Sequence, residues 1–134
     1  MFLHIDAHNG LAVYDQIVRQ IKFSVADGVL AVGDLVPSVR ELARDLTINP
    51  NTVARAYRQL QDDDVLESLR GTGLVVSSGA RKPCLAARKR LIGARLRDVL
   101  LEAHHGGLDA EQIRALFQTE LDNLKNNKLK TKKR

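Results

Sequence analysis

The chain has 134 residues, of which 44% are hydrophobic and 28% charged, and its formal net charge at pH 7 is +5. This length is enough for one domain with a buried core, with or without an appended segment. The lack of Trp and the 4% aromatic content argue against an aromatic-lined pocket or a base-stacking surface. A single cysteine excludes an internal disulfide. Together with the lack of a leader pattern or an apolar run of about 18 residues, it predicts a cytoplasmic protein that does not contact a membrane.

The positive charge is concentrated at the end of the sequence. Residues 125–134, KNNKLKTKKR, hold six basic side chains and no acidic one. The rest of the chain has 15 basic and 16 acidic residues. Net charge is therefore weak evidence that the body of the protein binds nucleic acid. Because residues 125–134 contain one apolar side chain, they cannot offset the entropy lost on ordering, and we expect a disordered basic tail.

The first predicted elements are a short strand and a helix. Residues 2–6 could form the strand, and Asn9-Gly10 is a turn signal. A helix of about 13 residues is predicted next, because apolar residues recur at helical spacing: Tyr14, Ile17, Val18, Ile21 and Val25. Gly28 would end this helix.

Two more helices follow in close succession. Ser38 and Glu41 form an S-x-x-E capping box, which predicts the start of a short helix. Only two or three residues separate that helix from LTINPNTVARAYRQL, residues 46–60, where Asn49 can cap a third helix and Pro50 suits its first position. Two short helices joined by so tight a turn, with another helix before them, indicate a helix-turn-helix.

The third helix has two distinct faces. Its inward stripe consists of Val53, Ala56, Tyr57 and Leu60, and its outward face carries Asn51, Arg55 and Arg58, flanked by Thr52 and Gln59. Small hydrogen-bonding side chains at the start of such a helix are placed to read DNA. The alternative is that Asn49, Pro50 and Thr52 serve only to start the helix.

A β-hairpin is predicted directly after the helix-turn-helix. Residues 65–69 and 74–76 are apolar enough for strands, and Arg70-Gly71-Thr72-Gly73 is the turn. A hairpin in this position is a wing, and glycines at its tip allow backbone to approach a phosphate or a minor groove. The predicted fold is mainly α with a small β-hairpin, namely a winged helix-turn-helix over residues 1–79.

The segment VPSVRELARDLTINPNTVARAYRQLQDDDVLESLRGTG resembles the winged helix-turn-helix of GntR-family bacterial transcription regulators, and most of all their short YtrA-type branch. The resemblance covers about residues 11–78, and its specific signature is the pairing of PSVRELA with NPNTVARAY. It implies sequence-specific DNA binding by a dimer, usually as a repressor.

The resemblance also implies which residues contact DNA. Arg40 matches the family's DNA-contacting arginine, the start of the third helix matches the major-groove element, and the wing tip lies near the minor groove. Arg40 could instead be a solvated helix residue. The full predicted set is Ser38, Arg40, Asn49, Asn51, Thr52, Arg55, Arg58, Arg70, Gly71, Thr72 and Gly73.

A few residues depart from the family pattern. Thr47 in the turn and Asp64 after the third helix stand where the family usually has Gly, and Ala12 replaces a Pro. The turn at Thr47 must therefore be built differently or be strained. The acidic run 62–64 is also poorly matched to the negative end of a helix dipole. These departures concern geometry more than DNA reading.

Residues 84–124 are predicted to form two helices separated by Gly106-Gly107. So short a hairpin cannot bury both apolar stripes by itself, so it must pack on the winged domain or on a second subunit. We expect residues 80–124 to be a dimerisation hairpin that uses Ile92, Leu96, Val99, Leu100, Ile113, Leu116, Phe117 and Leu121. About 40 residues of helix leave little room for an effector pocket, so a small-molecule effector is not favoured.

These patterns favour a homodimeric repressor that binds a two-fold symmetric operator in double-stranded DNA. The rival is a winged-helix module that docks a partner protein, which the net-negative body mildly favours. No enzyme is expected, because no nucleophile is paired with a base and no glycine loop could hold a phosphate. His104-His105 is more typical of a helix end than of a metal site, so no metal, cofactor or catalytic residue is predicted.

Overall fold

The computed structural model describes residues 3–132, with side chains for residues 3–127, and divides into two compact units, Met1–Leu91 and Ile92–Arg134. Its elements are α1 (Val13–Ala26), α2 (Val39–Leu46), α3 (Pro50–Asp62), β1 (Leu66–Leu69), β2 (Gly73–Val76), α4 (Arg81–His105) and α5 (Ala110–Lys132). The predicted fold class is confirmed: the described residues form five helices and one small antiparallel hairpin. None of the described helices is both long enough and apolar enough to cross a bilayer.

The core of the first unit forms where α1 and α2 both pack against α3. Ile17 and Ile21 of α1 and Val53 of α3 are completely buried, as the helical periodicity predicts. From α2, Leu42 and Ala43 are buried, whereas Val39 and Leu46 are partly buried. The predicted stripes therefore face this core, with Tyr14 only half-buried at its edge.

The wing is a two-stranded sheet that is closed against the core on one face. Leu66 pairs with Val76 at the inner end and Leu69 with Gly73 at the tip. Because side chains alternate along a strand, Leu66 and Val76 point into the core. Leu35 forms an isolated antiparallel bridge to Val75, which ties the segment before α2 to the wing.

The predicted strand at residues 2–6 is wrong for its described part, since residues 3–6 have no regular structure. The backbone of this segment forms hydrogen bonds with two glutamine side chains of α1 instead of with a neighbouring strand. The Gln16 amide accepts from Asp6 N (2.8 Å) and donates to Asp6 O (2.8 Å) and Leu11 O (3.0 Å). Gln20 accepts from the backbone N–H of His4 (2.8 Å) and donates to its carbonyl.

Helices α2 and α3 end in the same Schellman motif, with a non-glycine residue in the left-handed conformation. Thr47 has φ 56° and Asp64 has φ 58°. After α2, Ile48 N donates to Ala43 O (3.0 Å); after α3, Val65 N donates to Leu60 O (2.8 Å). Of the two possibilities raised for Thr47, the turn keeps the left-handed conformation that glycine favours, which is unfavourable for a β-branched residue.

The first unit extends further along the chain than predicted. Ala80 and Cys84 belong to its core and Ala87 is buried, so the start of α4 completes the winged domain. The boundary falls after Leu91, not after residue 79. The small side chains of Ala80, Cys84 and Ala87 recur at helical spacing, but they are too small to have stood out as an apolar stripe.

The end of the chain also differs from expectation. Helix α5 runs to Lys132, so the backbone of residues 125–132 is helical rather than disordered, and residues 133–134 lie outside the described residues. Lysine is a good helix former, and a helix already nucleated by residues 110–124 extends at little cost per added residue.

Candidate nucleic-acid interface

The start of α2 is organised by a side-chain cap. Ser38 Oγ accepts a hydrogen bond from Glu41 N (3.1 Å) in extended backbone just before the helix. This places Arg40, which is exposed, in the first turn with its side chain directed to solvent. Ser38 is therefore occupied as a helix cap, and Arg40 is the exposed cation in the first turn of α2, with Arg44 one turn further along.

The start of α3 combines capping with an exposed polar tip. Asn49 Oδ1 accepts from Asn51 N (2.8 Å), and Pro50 occupies the first turn. The capping interpretation thus applies to Asn49. Asn51 is exposed and Thr52 half-buried, while Arg58 is exposed two turns further along. Asn51 keeps its side-chain amide at the surface, where both a donor and an acceptor are presented.

Arg55 is placed by an aromatic ring from a different helix. Its guanidinium carbon lies 3.7 Å from the centroid of the Tyr14 ring of α1. This is a cation–π contact at close range. The sequence predicted Tyr14 only as part of the apolar stripe of α1. Periodicity does not reveal its contact with Arg55.

Tyr57 fixes α3 relative to the segment that leads into α2. Its hydroxyl donates to Pro37 O at 2.7 Å. Burial, assisted by the negative charge of Glu41, raises the pKa of Tyr57 far above its ordinary value, so the hydroxyl remains a donor at any physiological pH. The middle of α3 is thereby joined to the segment that leads into α2.

The wing tip lies beside the start of α2. Ser38 and Thr72 line the same cavity of about 310 Å³, with Tyr57 as part of its wall. Gly71 (φ 80°) and Gly73 (φ 124°) adopt conformations that favour glycine, and a Cβ at Gly73 would sit 3.4 Å from Leu35 Cδ1. The exposed residues 70–73 and the start of α2 thus form neighbouring parts of one surface.

Charge is segregated along α3. Exposed Arg55 and Arg58 lie in its first two-thirds, whereas its acidic run 62–64 lies at and beyond its C-terminal end. The poor match of these acids to the helix dipole is partly relieved, because Asp63 accepts from Lys22 Nζ (2.7 Å) and from Gln59 Nε2 (3.0 Å). Because these opposite charges nearly cancel in the sum, the net charge alone did not reveal the exposed arginines of α3.

The second unit presents the predicted dimerisation residues to solvent. Ile92, Leu96, Val99, Leu116, Phe117 and Leu121 are exposed by 39–57%, while Leu100 and Ile113 are intermediate. Within this unit, α4 and α5 enclose a groove of about 430 Å³. It is lined by five apolar and two charged residues: Ile92, Leu96, Val99, Leu116, Phe117, Arg95 and Glu120.

No cluster of three or more His, Cys, Asp or Glu side chains suited to a metal ion occurs among the described residues. His104 and His105 lie at the end of α4 with ring centroids 6.0 Å apart and planes tilted by 49°. Cys84 is buried in the first unit, where burial raises the pKa of its thiol. These groups lie outside the surface formed by α2, α3 and the wing.

Known proteins are similar to this chain in both sequence and fold. The sequence model described as "Bacterial regulatory proteins, gntR family" matches residues 13–76. The transcriptional repressor YtrA of Bacillus subtilis is 34% identical over 111 residues, which cover 83% of this chain and 85% of that protein. A GntR family transcriptional regulator from Listeria monocytogenes has a TM-score of 0.67 at 30% identity and covers 86% of this chain and 98% of its own. YtrA from Sulfolobus acidocaldarius, a GntR-family transcription factor, has a TM-score of 0.54 at 28% identity over 91% of this chain and 98% of its own.

Proposed function

Because the chain belongs to the GntR family of bacterial regulatory proteins and is a DNA-binding transcriptional regulator, we propose that it is a repressor that binds a two-fold symmetric operator as a homodimer. Repression is the role in the name of its relative in Bacillus subtilis. One observation supports the proposal for the site: the wing tip, the start of α2 and Tyr57 of α3 line one cavity, and Arg40, Asn51 and Arg55 are exposed on the same two helices.

The proposed contacts follow from the chemistry of the side chains. The first turns of α3 enter the major groove, where Arg55 is suited to a guanine edge and Asn51 to an adenine edge. Arg40 at the start of α2 lies where it meets a phosphate or a flanking base. The remaining residues of the predicted set (Ser38, Asn49, Thr52, Arg58, Arg70, Gly71, Thr72 and Gly73) shape and flank this surface, with Gly71 and Gly73 at the minor groove.

The homodimer is proposed from the groove between α4 and α5. Apolar side chains that are about half exposed in one chain are stabilised when a second copy covers them. Arg95 and Glu120, which also line this groove, have opposite charges, so two copies related by a two-fold axis can face each other without like-charge repulsion. A two-fold dimer of a winged helix-turn-helix then requires half-sites related by the same symmetry.

The DNA arm of the test uses gel shift and footprinting on DNA from the region around the protein's own gene, with Arg40→Ala and the matched control Arg81→Ala. Both variants remove one exposed cation, but Arg81 lies in the first turn of α4 and is not part of the proposed surface. Arg40→Ala should weaken specific binding by about 1–3 kcal/mol if it meets a base edge. Equal losses in both variants would contradict the assignment of Arg40, and the absence of any specific footprint would favour the partner-docking module.

The dimer arm of the test compares Leu96→Glu with Leu101→Glu by sedimentation. Both leucines are exposed on α4, but Leu96 lines the groove and Leu101 does not. Leu96→Glu should shift the protein toward monomer, because it places a carboxylate in the apolar contact, and Leu101→Glu should leave the dimer intact. A wild-type protein that is monomeric at micromolar concentration and still binds specifically would refute the homodimer.

A further inference from the structure

We infer that Tyr14 is a positioning residue for Arg55, holding the guanidinium of the recognition helix in place before DNA arrives. The inference rests on the proposed function in one respect: it concerns how the proposed reading residue Arg55 is presented. The contact itself belongs to the protein without DNA, where the Arg55 guanidinium carbon lies 3.7 Å from the Tyr14 ring centroid.

The ring of Tyr14 is held by the core. Tyr14 lies one turn before Ile17 and two turns before Ile21, which are both fully buried, and it packs against the edge of the core. It is half-buried, so one part of the ring is fixed by packing while another part remains open to Arg55. Helices α1 and α3 are also joined at their other ends by the Lys22–Asp63 ion pair (2.7 Å), which fixes their relative position.

Arg55 stacks on this ring without using up its hydrogen-bond donors. A guanidinium stacks through its flat face, whereas its five N–H groups lie in the plane and point outward. The carboxylate next to Tyr14 does not compete for them, because Asp15 pairs with Arg19 at 3.2 Å. The stacked Arg55 therefore remains able to form a bidentate contact with a base edge or a phosphate.

The stack also reduces the entropy lost on binding. An exposed arginine samples many rotamers, and immobilising such a side chain at an interface opposes association. Because Tyr14 already restricts the rotamers of Arg55 in the free protein, less side-chain entropy is lost when the protein binds DNA. An aliphatic residue at position 14 would preserve the packing of α1 but provide no face for the guanidinium.

The test uses the full-length protein and four variants, Tyr14→Leu, Tyr14→Phe, Arg55→Ala and the double variant Tyr14→Leu/Arg55→Ala. The DNA probe is the best site selected by the wild-type protein from a random-sequence pool. Tyr14→Leu should weaken binding about three- to tenfold, the fold-change that corresponds to immobilising one long side chain at an interface. It should also relax the same base preference as Arg55→Ala. Tyr14→Phe, which keeps the ring, should retain both affinity and preference.

The double variant shows whether Tyr14 acts through Arg55. In the Arg55→Ala background, Tyr14→Leu should have no further effect on affinity. A full loss in that background would overturn the inference, because Tyr14 would then act on DNA or on the fold directly. Unchanged affinity in Tyr14→Leu would overturn it as well, and so would tighter binding, since the ring would then be holding Arg55 away from the groove.

A readout without DNA separates this inference from the proposed function. In NMR spectra of the free protein, ring current from Tyr14 should shift the Arg55 side-chain resonances upfield. The shift should persist in Tyr14→Phe and vanish in Tyr14→Leu. Its absence in the wild type would overturn the inference whatever the DNA result. Failure of the wild-type protein to select any sequence would instead count against the proposed function.

Discussion

Replacing Thr47 by glycine should stabilise the protein, although the substitution introduces no new packing. Thr47 is exposed and ends α2 at φ 56°, ψ 51°. An L-residue in this conformation is less stable than glycine by about 1–2 kcal/mol, and a β-branched residue lies at the upper end of that range. About 0.4–1 kcal/mol of this gain is offset, because the larger conformational freedom of glycine stabilises the unfolded chain. The expected net gain is about 1 kcal/mol, or about 4–8 °C in Tm for a domain of this size.

Thermal and urea unfolding at one fixed protein concentration measure this gain, since dimerisation would make Tm depend on concentration. Two controls accompany it. Thr47→Ala keeps a Cβ at positive φ and should gain less, and Gly28→Ala should lose stability. Gly28 has φ 80° and its added Cβ would meet nothing within 4 Å, so only the backbone conformation is changed. An unchanged or lower Tm for Thr47→Gly would show that the left-handed conformation of this turn carries no strain.

Three further changes test other parts of the structure. Gln16→Leu should cost about 2 kcal/mol in unfolding free energy, since it removes three partly buried hydrogen bonds to the backbone of Asp6 and Leu11, and Gln20→Leu, whose hydrogen bonds are exposed, should cost less. Cys84 should react with iodoacetamide far more slowly in the folded protein than in urea, because its thiol is 1% exposed and its pKa is raised; equal rates would contradict its burial. Deleting residues 125–134 should lower affinity for all DNA alike and flatten the salt dependence by about 0.9 log units of slope for each phosphate that the segment neutralises, whereas an identical slope would leave the segment a solubilising end.

Periodicity and capping chemistry predicted most of the winged domain. The stripes of α1 and α3 are long and strictly periodic, so Ile17 and Val53 could be placed in the core from sequence alone. The caps at Ser38 and Asn49 depend on local hydrogen bonds between neighbouring residues, which sequence also specifies. Signals of this kind need no knowledge of distant contacts.

The errors arose where distant residues decide the outcome. The segment before α1 contains apolar residues but finds no strand partner, and glutamine amides sixteen and ten residues away satisfy its backbone. Likewise, the start of α4 joins the core through small residues that carry little apolar signal, such as Cys84. The contact between Tyr14 and Arg55 spans two helices, and nothing in either helix alone predicts it.

The segregation of charge along α3 has a consequence for the rate at which the protein finds DNA. Arg55 and Arg58 lie on the exposed face of α3 and the acidic run 62–64 follows at its C-terminal end, so a polyanion attracts the first group and repels the second. Encounters in the wrong orientation therefore separate quickly, whereas those that lead with the two arginines persist long enough to dock. The direction of the field, and not only the net charge, can thus guide the winged domain to DNA.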